Sequence, residues 1–516
     1  MGATVENEVR IPKFYTKKSL TSSTALLAYL ALADFAAHLF FADNYGYFRD
    51  ELYYIVSGTQ HLSLGYVDFP PLIAYVAALV NVFTKDSLFS IHFVSALNEA
   101  LLVFVAGMIA RELGGGRRAQ LLAAVSTLAT LVFLADGSIF TPDSFDQLWW
   151  SLFAYFLIRI VKRREPRLWI VAGLILGVGL LTKLTILFFA AALLLSFLAI
   201  PSTRQYIRSR WIVFGGLLSL VFTLPMFYWN YINGWPMLHF YLEFRHDISG
   251  GGPLSFFLNQ ITGISILNFP IFIIGLYFYL RSNEGSALRA FGVSYILLYV
   301  FMTLLNMKPY YLAPIYPMLF AGGALMIERS SNSKKGFFRW FGSRPFIGFL
   351  IVVAILLAPL AVPILSPTTL INSYGASNYQ ASPLPDRYGW SMFVSNLSMA
   401  FNTLPGNTRS QACIFTENYG EASAVNYLGR SMGLPVAISG HNNYYIWGPG
   451  SCTGKVLITI GYSLSDDQKS FVNVTLLTTL SCYLCISYES YLPVYLCTNP
   501  TFSSLPSEWP LVRHYD

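Results

Sequence analysis

Two acidic stretches and two isolated lysines stand out from an otherwise apolar chain. The first stretch reads Tyr47-Phe48-Arg49-Asp50-Glu51-Leu52-Tyr53-Tyr54 and, a little further on, Gly65-Tyr66-Val67-Asp68-Phe69-Pro70-Pro71-Leu72. The second reads Asp136-Gly137-Ser138-Ile139-Phe140-Thr141-Pro142-Asp143-Ser144-Phe145-Asp146. Adjacent carboxylates such as Asp50 and Glu51 can take a proton from a hydroxyl or hold a cation. Asp50 or Asp68 could instead cap the free N–H groups of a helix start, and Thr141-Pro142-Asp143 is itself a good helix start. Lys183 and Lys308 sit at the ends of apolar helical runs, Lys308 opening Lys308-Pro309-Tyr310-Tyr311-Leu312-Ala313-Pro314-Ile315-Tyr316-Pro317. A lysine so placed either snorkels to a membrane interface or holds a phosphate as a point charge. Together these residues describe a pocket with carboxylates for an acceptor hydroxyl and lysines for a phosphate.

Composition says what must position them. Of 516 residues, 55% are hydrophobic and only 11% charged, with mean hydropathy +0.52, against about 25% charged in a soluble chain. A bilayer is the solvent that suits such a chain. The expected fold is a polytopic α-helical membrane protein with about eleven transmembrane helices and a small C-terminal α/β domain. Apolar runs place spans at 20–41, 88–110, 119–135, 144–161, 168–181, 184–200, 212–230, 256–280, 290–305, 311–327 and 346–366. The first run lacks a small-residue cleavage site and is expected to be retained. The run 72–83, after Pro70-Pro71, is short and is expected to lie at the interface.

Basic residues set the expected orientation. The segments read as cytoplasmic hold 22 of the 33 Lys and Arg, and the outer loops between helices hold five. The stretch 168–200 is one long helix or two short ones. Lys162, Arg163, Arg164 and Arg167 before it, and Arg204, Arg208 and Arg210 after it, require the chain to go out and return, with Thr182-Lys183 as the turn. The N-terminus is then inside and the C-terminal domain extracytoplasmic, in a plasma or inner membrane. Asp43, Asp50, Glu51, Asp68, Asp86, Asp136, Asp143, Asp146, Glu243 and Asp247 fall on the outer side. The net charge of +7 comes from these topology clusters and does not point to nucleic acid.

Residues 1–366 are expected to form the membrane domain, with the long first outer loop 42–87 carrying the chemistry, and 367–516 the soluble domain. Strands are expected at Ala412–Phe415, Pro435–Ile438, Lys455–Ile460 and Val474–Thr478, and helices at Glu421–Arg430 and Ser463–Phe471, an alternation that suggests a partly parallel sheet. All five cysteines, Cys413, Cys452, Cys482, Cys485 and Cys497, lie there. An outward-facing domain favours disulfides, the odd number leaves one over, and Cys482-x-x-Cys485 is expected to be a structural bridge rather than a redox or metal motif. Asn396-Leu-Ser and Asn473-Val-Thr are formal glycosylation sites.

Several of these motifs, in order, resemble the membrane glycosyltransferases that take sugars from polyprenyl-phosphate donors, the C-type superfamily, relatives of the protein O-mannosyltransferases and the lipid A aminoarabinose transferase. They are Arg49-Asp50-Glu51-Leu-Tyr-Tyr, Gly65-Tyr-Val-Asp68-Phe-Pro70-Pro71-Leu, Thr141-Pro-Asp143, Gly179-Leu-Leu-Thr-Lys183 and Lys308-Pro-Tyr-Tyr-Leu-Ala-Pro-Ile-Tyr-Pro, with Asn233-Gly-Trp-Pro and Pro253-Leu-Ser-Phe-Phe. Glu417-Asn-Tyr419-Gly-Glu421-Ala, Gly433-Leu-Pro and Ser439-Gly-His441-Asn-Asn-Tyr444…Trp447-Gly resemble the outer domain of a prokaryotic branch.

The resemblance implies a catalytic cavity at the outer face. Asp50, with Glu51, would serve catalysis as the base. Asp68, Asp143 and Asp146 would orient the acceptor, Lys183, Lys308, Tyr310 and Tyr311 would hold the donor phosphate, and the apolar helices would hold the prenyl tail. His441, Tyr444 and Trp447 would line a sugar or lipid surface, or simply pack a core. Where the aminoarabinose branch has Glu-Lys before the proline, this chain has Asp68-Phe69, which leaves that branch's donor and acceptor unassigned. The expected function is inverting transfer of a hexosyl or pentosyl unit from an undecaprenyl- or dolichyl-type phosphate to a hydroxyl of a glycan, lipid or protein. The alternatives are a lipid-linked sugar transporter or flippase, in which the outer acids relay ions, and an inactive scaffold. No cofactor is demanded. A divalent cation is permitted, with Asp50 and Asp143 its ligands, although no ligand spacing requires one.

Overall fold

The computed structural model describes residues 21–85, 87–244, 251–331 and 340–515. The basic N-terminal arm and Asp86, Arg245, Asp247, Lys334, Lys335 and Arg339 lie outside the described residues.

Helices dominate, and their ends follow local chemistry. Ser22 accepts from Ala25 N at 3.2 Å to start Ser23–Phe40, and Ser87 accepts from Ser90 N at 3.4 Å to start Leu88–Leu113. Gly114, at φ +100°, stops the second. Among the described residues five helices are long and apolar enough to cross a bilayer: Ser23–Phe40, Leu88–Leu113, Arg210–Ile232, Ser286–Leu304 and Pro309–Ser330. A sixth crossing arises if Arg117–Leu128 and Leu131–Gly137, bent by 68°, form one span. Leu72–Thr84, Pro166–Leu180, Thr185–Ala199, Phe269–Arg281 and Arg344–Leu360 are apolar but shorter. Arg210–Ile232 exposes Val213, Phe214, Leu217, Leu220, Val221, Leu224 and Tyr228, an apolar surface that suits lipid contact along a span. The chain is an integral membrane protein.

Two of the expected spans are interrupted. The run 256–280 is two helices, Gly252–Gly263 and Phe269–Arg281. Ser265 between them takes φ +68°, and the buried Asn268 amide holds the break by donating to Ile264 O and Ser126 O, both at 2.9 Å. The run 119–135 breaks at Thr130, whose hydroxyl turns back onto Ser126 O at 2.8 Å. The stretch 168–200 is a pair of helices, as the basic clusters require. Trp169 Nε1, at the start of the pair, donates to Tyr206 O, beyond its end, at 3.1 Å, so the chain leaves and returns.

The basic clusters meet on one face. Arg163 pairs with Glu112 at 2.6 Å, and Lys162 Nζ donates to Leu113 O at 2.7 Å. Glu328 caps Arg117–Leu128 by accepting from Gly116 N, Arg118 N and Ala119 N at 2.6–3.1 Å, and Arg329 pairs with Glu284. Negative charge at a helix N-terminus is favourable.

The C-terminal part holds a five-stranded mixed sheet in the order β2-β1-β3-β5-β4, from β1 (Ala412–Thr416), β2 (Ala437–Ser439), β3 (Val456–Ile460), β4 (Phe471–Ser481) and β5 (Tyr491–Pro500). β1 runs parallel to β2 and β3, and β5 antiparallel to β3 and β4. β5 is not among the expected strands, and Pro493 is unusual for an inner strand. Its place resolves the conflict: Pro493 pairs with Thr479 on β4, while the β3 pairing starts only at Val494.

Cys413–Cys452 and Cys482–Cys485 are disulfides, and Cys497 is a buried thiol. Cys413–Cys452 ties β1 to the loop before β3 across 39 residues. A Cys413→Ser protein is expected to lose about 2–4 kcal/mol, seen as a lower melting temperature that reductant reproduces in the native protein.

Candidate active site

A cavity of about 680 Å³ lies where the C-terminal sheet domain meets the helical bundle, away from the basic face. Helix Arg49–Gln60 forms one wall and presents Arg49, Asp50 and Tyr54. The loop before Leu72–Thr84 adds Asp68, Phe69 and Pro70, and the start of Pro142–Arg163 adds Asp143. Lys183 comes from the break between the paired helices, and Lys308, Tyr310 and Tyr311 from the turn into Tyr316–Ser331. The ends of β1 and β2 form the roof, with Glu417, Tyr419, Glu421, His441 and Asn442.

Asp50 is one-quarter exposed. Tyr419 Oη donates to its Oδ1 at 2.7 Å, and Arg49 Nε approaches the same oxygen at 3.4 Å. Arg49 is held between the Tyr419 and Tyr488 rings, 5.4 and 5.2 Å from their centroids, with Asp386 at 3.7 Å. Asp50 therefore faces the cavity with one oxygen committed to neighbours, an arrangement that suits a base.

Glu51 is elsewhere. It is fully buried (0% exposed) and outside the cavity lining. Its Oε1 accepts from Phe140 N at 2.6 Å and lies 2.9 Å from His92 Nε2, and its Oε2 accepts from Phe48 N at 2.8 Å. Burial alone raises its carboxyl pKa, but His92, Arg387 and the Phe140 N–H outweigh burial and hold it below the usual range. Glu51 thus fastens helix Arg49–Gln60 to the bundle.

Asp68 accepts from Tyr53 Oη at 3.0 Å, Asn443 Nδ2 at 2.8 Å and Asn442 Nδ2 at 3.1 Å. Burial pushes its pKa up to about 7, with Tyr53 and Asn442 partly offsetting and Asp50 adding to the rise. Asp143 pairs with Lys183. The Lys183 ammonium lies 4.3 Å from the Tyr311 centroid and 5.3 Å from that of Tyr310. Burial lowers its pKa, but Asp143 and Tyr311 more than compensate and keep it charged. Asp146 is buried one turn away, accepting from Thr185 Oγ1 at 2.6 Å, and does not reach the cavity.

On the roof, His441 lines the cavity and packs against Tyr419 and His514, each at 4.9 Å between rings. Burial, then His514 and Arg49, lowers its pKa well below the usual value, so it is a neutral imidazole. Tyr444 and Trp447 do not reach the cavity. Tyr444 Oη meets Ser423 Oγ at 3.0 Å and Asn426 Nδ2 at 3.2 Å, and Trp447 stacks on His61 at 4.0 Å.

The sheet domain is fixed to the bundle by polar contacts. Arg387, buried, donates to Ser138 O, Asn44 O and Gly46 O at 3.0–3.3 Å. Asn443 reaches Val67 N through its Oδ1 at 2.8 Å and also bonds Tyr53 Oη. Gly420 has no substitute here, because a Cβ would stand 2.3 Å from Arg49 Cγ. Arg49, Tyr419, Glu421, Asn442 and Tyr488 are cavity residues that sequence reasoning left without a role. Arg49, Tyr419 and Glu421 were signalled only by the Arg49-Asp50-Glu51 and Glu417–Glu421 motifs, Asn442 only by the Ser439–Tyr444 motif, and Tyr488 by none.

Among the described residues, no three His, Cys, Asp or Glu side chains are grouped to hold a metal ion. The two acids offered as ligands are engaged otherwise, Asp50 by Tyr419 and Arg49, and Asp143 by Lys183.

A helical membrane bundle, a mixed sheet domain over one end and a cavity joining carboxylates to lysines carry the resemblance to the polyprenyl-phosphate-sugar-dependent membrane glycosyltransferases, the C-type superfamily, beyond the motifs, and comparison with known proteins bears it out. Residues 68–229 match the family described as Dolichyl-phosphate-mannose-protein mannosyltransferase. Lipid A galacturonosyltransferase RgtD of Rhizobium johnstonii is 29% identical over 192 residues, 36% of this chain and 39% of that protein, so the alignment spans well under half of the relative. Crystal structures of ArnT from Cupriavidus metallidurans, bound to Undecaprenyl phosphate and in the apo state, share the fold with TM-scores of 0.60 and 0.59 at 14% identity, covering 91% of this chain and 97% of theirs.

Proposed function

We propose that the chain transfers a sugar from a polyprenyl phosphate to an acceptor hydroxyl at the extracytoplasmic membrane face, with inversion at the anomeric carbon. The observation that carries this is the single cavity holding a partly exposed carboxylate, Asp50, and a charged lysine, Lys183, backed by tyrosine rings. The ArnT structure with Undecaprenyl phosphate has the same fold, and the family match names a lipid-phosphate sugar donor.

In the proposed reaction Asp50 takes the proton of the acceptor hydroxyl as its oxygen bonds to the anomeric carbon. The bond from that carbon to the phosphate oxygen breaks, and the lipid phosphate leaves with one more negative charge. Lys183 and Lys308 stabilise that charge in a site shielded from water, Tyr310 and Tyr311 flank them, and Asp143 sets the Lys183 ammonium. Asp68 orients the acceptor. No step of the proposed reaction uses a metal. The eleven-span count and the outward sheet domain belong to the same proposal, supported by the gathering of basic clusters on the face opposite the cavity. Purified protein given undecaprenyl-phosphate sugars and membrane extract should move label to an acceptor, and a folded, donor-binding Asp50→Asn protein that keeps the full rate would sink the proposal.

One observation favours transport instead. Asp34, His38 and Glu99 lie buried together, with half-buried Asp136 close by. His38 Nδ1 is 3.4 Å from Asp34 Oδ1, a Cβ on Gly137 would stand within 3 Å of both His38 and Glu99, and Glu99 Oε1 has no hydrogen-bond partner. Ionisable groups inside spans often mark ion or proton paths. Glu99→Gln separates the cases: transfer should persist at the native rate, whereas a proton-coupled transporter would lose movement of label across vesicles.

A further inference from the structure

Lipid-phosphate chemistry needs the floor of the cavity, and leaves its roof without a task. β1 runs into Glu417-Asn418-Tyr419, β2 into Gly440-His441-Asn442, and β3 into Gly461. The chain goes from β1 to β2 on one side, then crosses to β3 on the other side of β1. Sheets with such a reversal bind ligands in the crevice beyond the carboxyl ends of their parallel strands. Here that crevice opens onto Asp50 and Asp68.

Two acceptor atoms in the crevice are buried and unused. Asn442 Oδ1 and Glu421 Oε1 have no hydrogen-bond partner, and their residues are 2% and 0% exposed. Each side chain is fixed by its other atom. Asn442 Nδ2 donates to Asp68 Oδ2 at 3.1 Å, and Glu421 Oε2 accepts from Asn418 N at 3.3 Å as half of a capping box. Asn442 also holds a left-handed backbone, φ +48°, a conformation that clusters at ligand-binding positions. Gly461, at φ +87°, keeps the adjoining space open, since a Cβ there would stand 2.8 Å from Glu417 Oε2 and 3.2 Å from Glu421 Oε1.

Two fixed acceptors call for two donors, and adjacent sugar hydroxyls supply them. A sugar carboxylate would meet Glu417 and Asp68, a repulsion with no free cation on the roof side to relieve it among the described lining residues, because Arg49 is already paired with Asp50 and Asp386. Burial, then Glu489 and Glu417, already raises the Glu421 carboxyl well above its ordinary pKa.

We infer that the crevice at the carboxyl ends of β1, β2 and β3 is a sugar subsite in which Asn442 and Glu421 accept hydroxyl protons of a saccharide that carries no carboxylate. This rests on the proposed function, in that the saccharide is the donor's sugar or the acceptor's. Asn442→Ala and Glu421→Gln test it, the glutamine retaining the capping box. Each variant, checked for a native melting profile, is compared with the native protein for binding of bare undecaprenyl phosphate and for KM with mannosyl and galacturonosyl undecaprenyl phosphates and with acceptor. Bare lipid should bind both variants as it binds the native protein. KM for the sugar-bearing substrate should rise by about tenfold, as expected for one lost hydrogen bond, with kcat moving less. The substrate whose KM rises identifies the sugar as the donor's or the acceptor's. The native protein should prefer the mannosyl over the galacturonosyl lipid, and Glu421→Gln should narrow that preference. Unchanged KM for both substrates in both variants, or a native protein that favours the galacturonosyl lipid, overturns the inference. A native protein that binds no undecaprenyl phosphate defeats the proposed function instead, and the subsite then stands or falls on whether free mannose-type glycans bind the native protein and not the variants.

Discussion

An Asp50→Asn protein should fold, melt and bind undecaprenyl phosphate like the native chain while its transfer rate falls by about 10²–10⁴-fold, the range expected for removing a positioned base. Asp50 is partly exposed and, among the described residues, is held by Tyr419 and Arg49. An amide of the same shape keeps an oxygen for Tyr419 and disturbs little packing. What it loses is the ability to take a proton. The loss should appear in kcat and in kcat/KM alike, because it concerns an interaction made in the transition state. A fall confined to KM would assign Asp50 to substrate binding.

The neighbouring residue should behave in the opposite way. Glu51→Ala should destabilise the protein by about 3–5 kcal/mol, the usual cost of breaking a buried pair from one side. Removal leaves His92 with only its Ala42 O contact and the Phe140 and Phe48 N–H groups without the Glu51 acceptor. The measurement is melting in detergent, with and without undecaprenyl phosphate. Ligand binding should recover part of the loss by mass action, and the fraction still folded should transfer sugar. A Glu51→Ala protein that melts normally yet transfers nothing would return Glu51 to the catalytic pair.

The different fates of Asp50 and Glu51 mark where sequence stops being legible. Both sit in the first turn of one helix, successive residues about 100° apart around its axis. Spacing says that they face different directions, but not which direction is the cavity. His92, 41 residues away, decides that. The same limit applies to Asp143 and Asp146. They lie three residues apart on one helix face, yet only Asp143 reaches the cavity and Lys183, while Asp146 turns to Thr185.

That the chain is a helical membrane bundle was legible, because hydrophobic runs act locally. The pairing of 168–180 with 185–199 was deduced from charge alone and is sealed by Trp169 and Tyr206. The break at Ser265–Asn268 was not, since it depends on Asn268 finding Ser126, distant in sequence. The roof was least legible. Tyr419, Glu421 and Asn442 acquire meaning only when the sheet brings the ends of β1 and β2 over helix Arg49–Gln60. The resemblance offered Tyr444 and Trp447 either as a sugar or lipid surface or as core packing, and those rings pack the interface behind the cavity.

The measurement that bears most directly on the central claim is single-turnover transfer by the purified protein in detergent. It would use labelled mannosyl undecaprenyl phosphate, membrane extract as acceptor, and Asp50→Asn alongside. The expected result is label appearing on acceptor with the native protein and release of undecaprenyl phosphate in equal amount. Asp50→Asn should bind the donor and transfer it about 10²–10⁴-fold more slowly. Donor bound by the native protein but never transferred, or label carried across vesicle membranes with the sugar–phosphate bond intact, would contradict it.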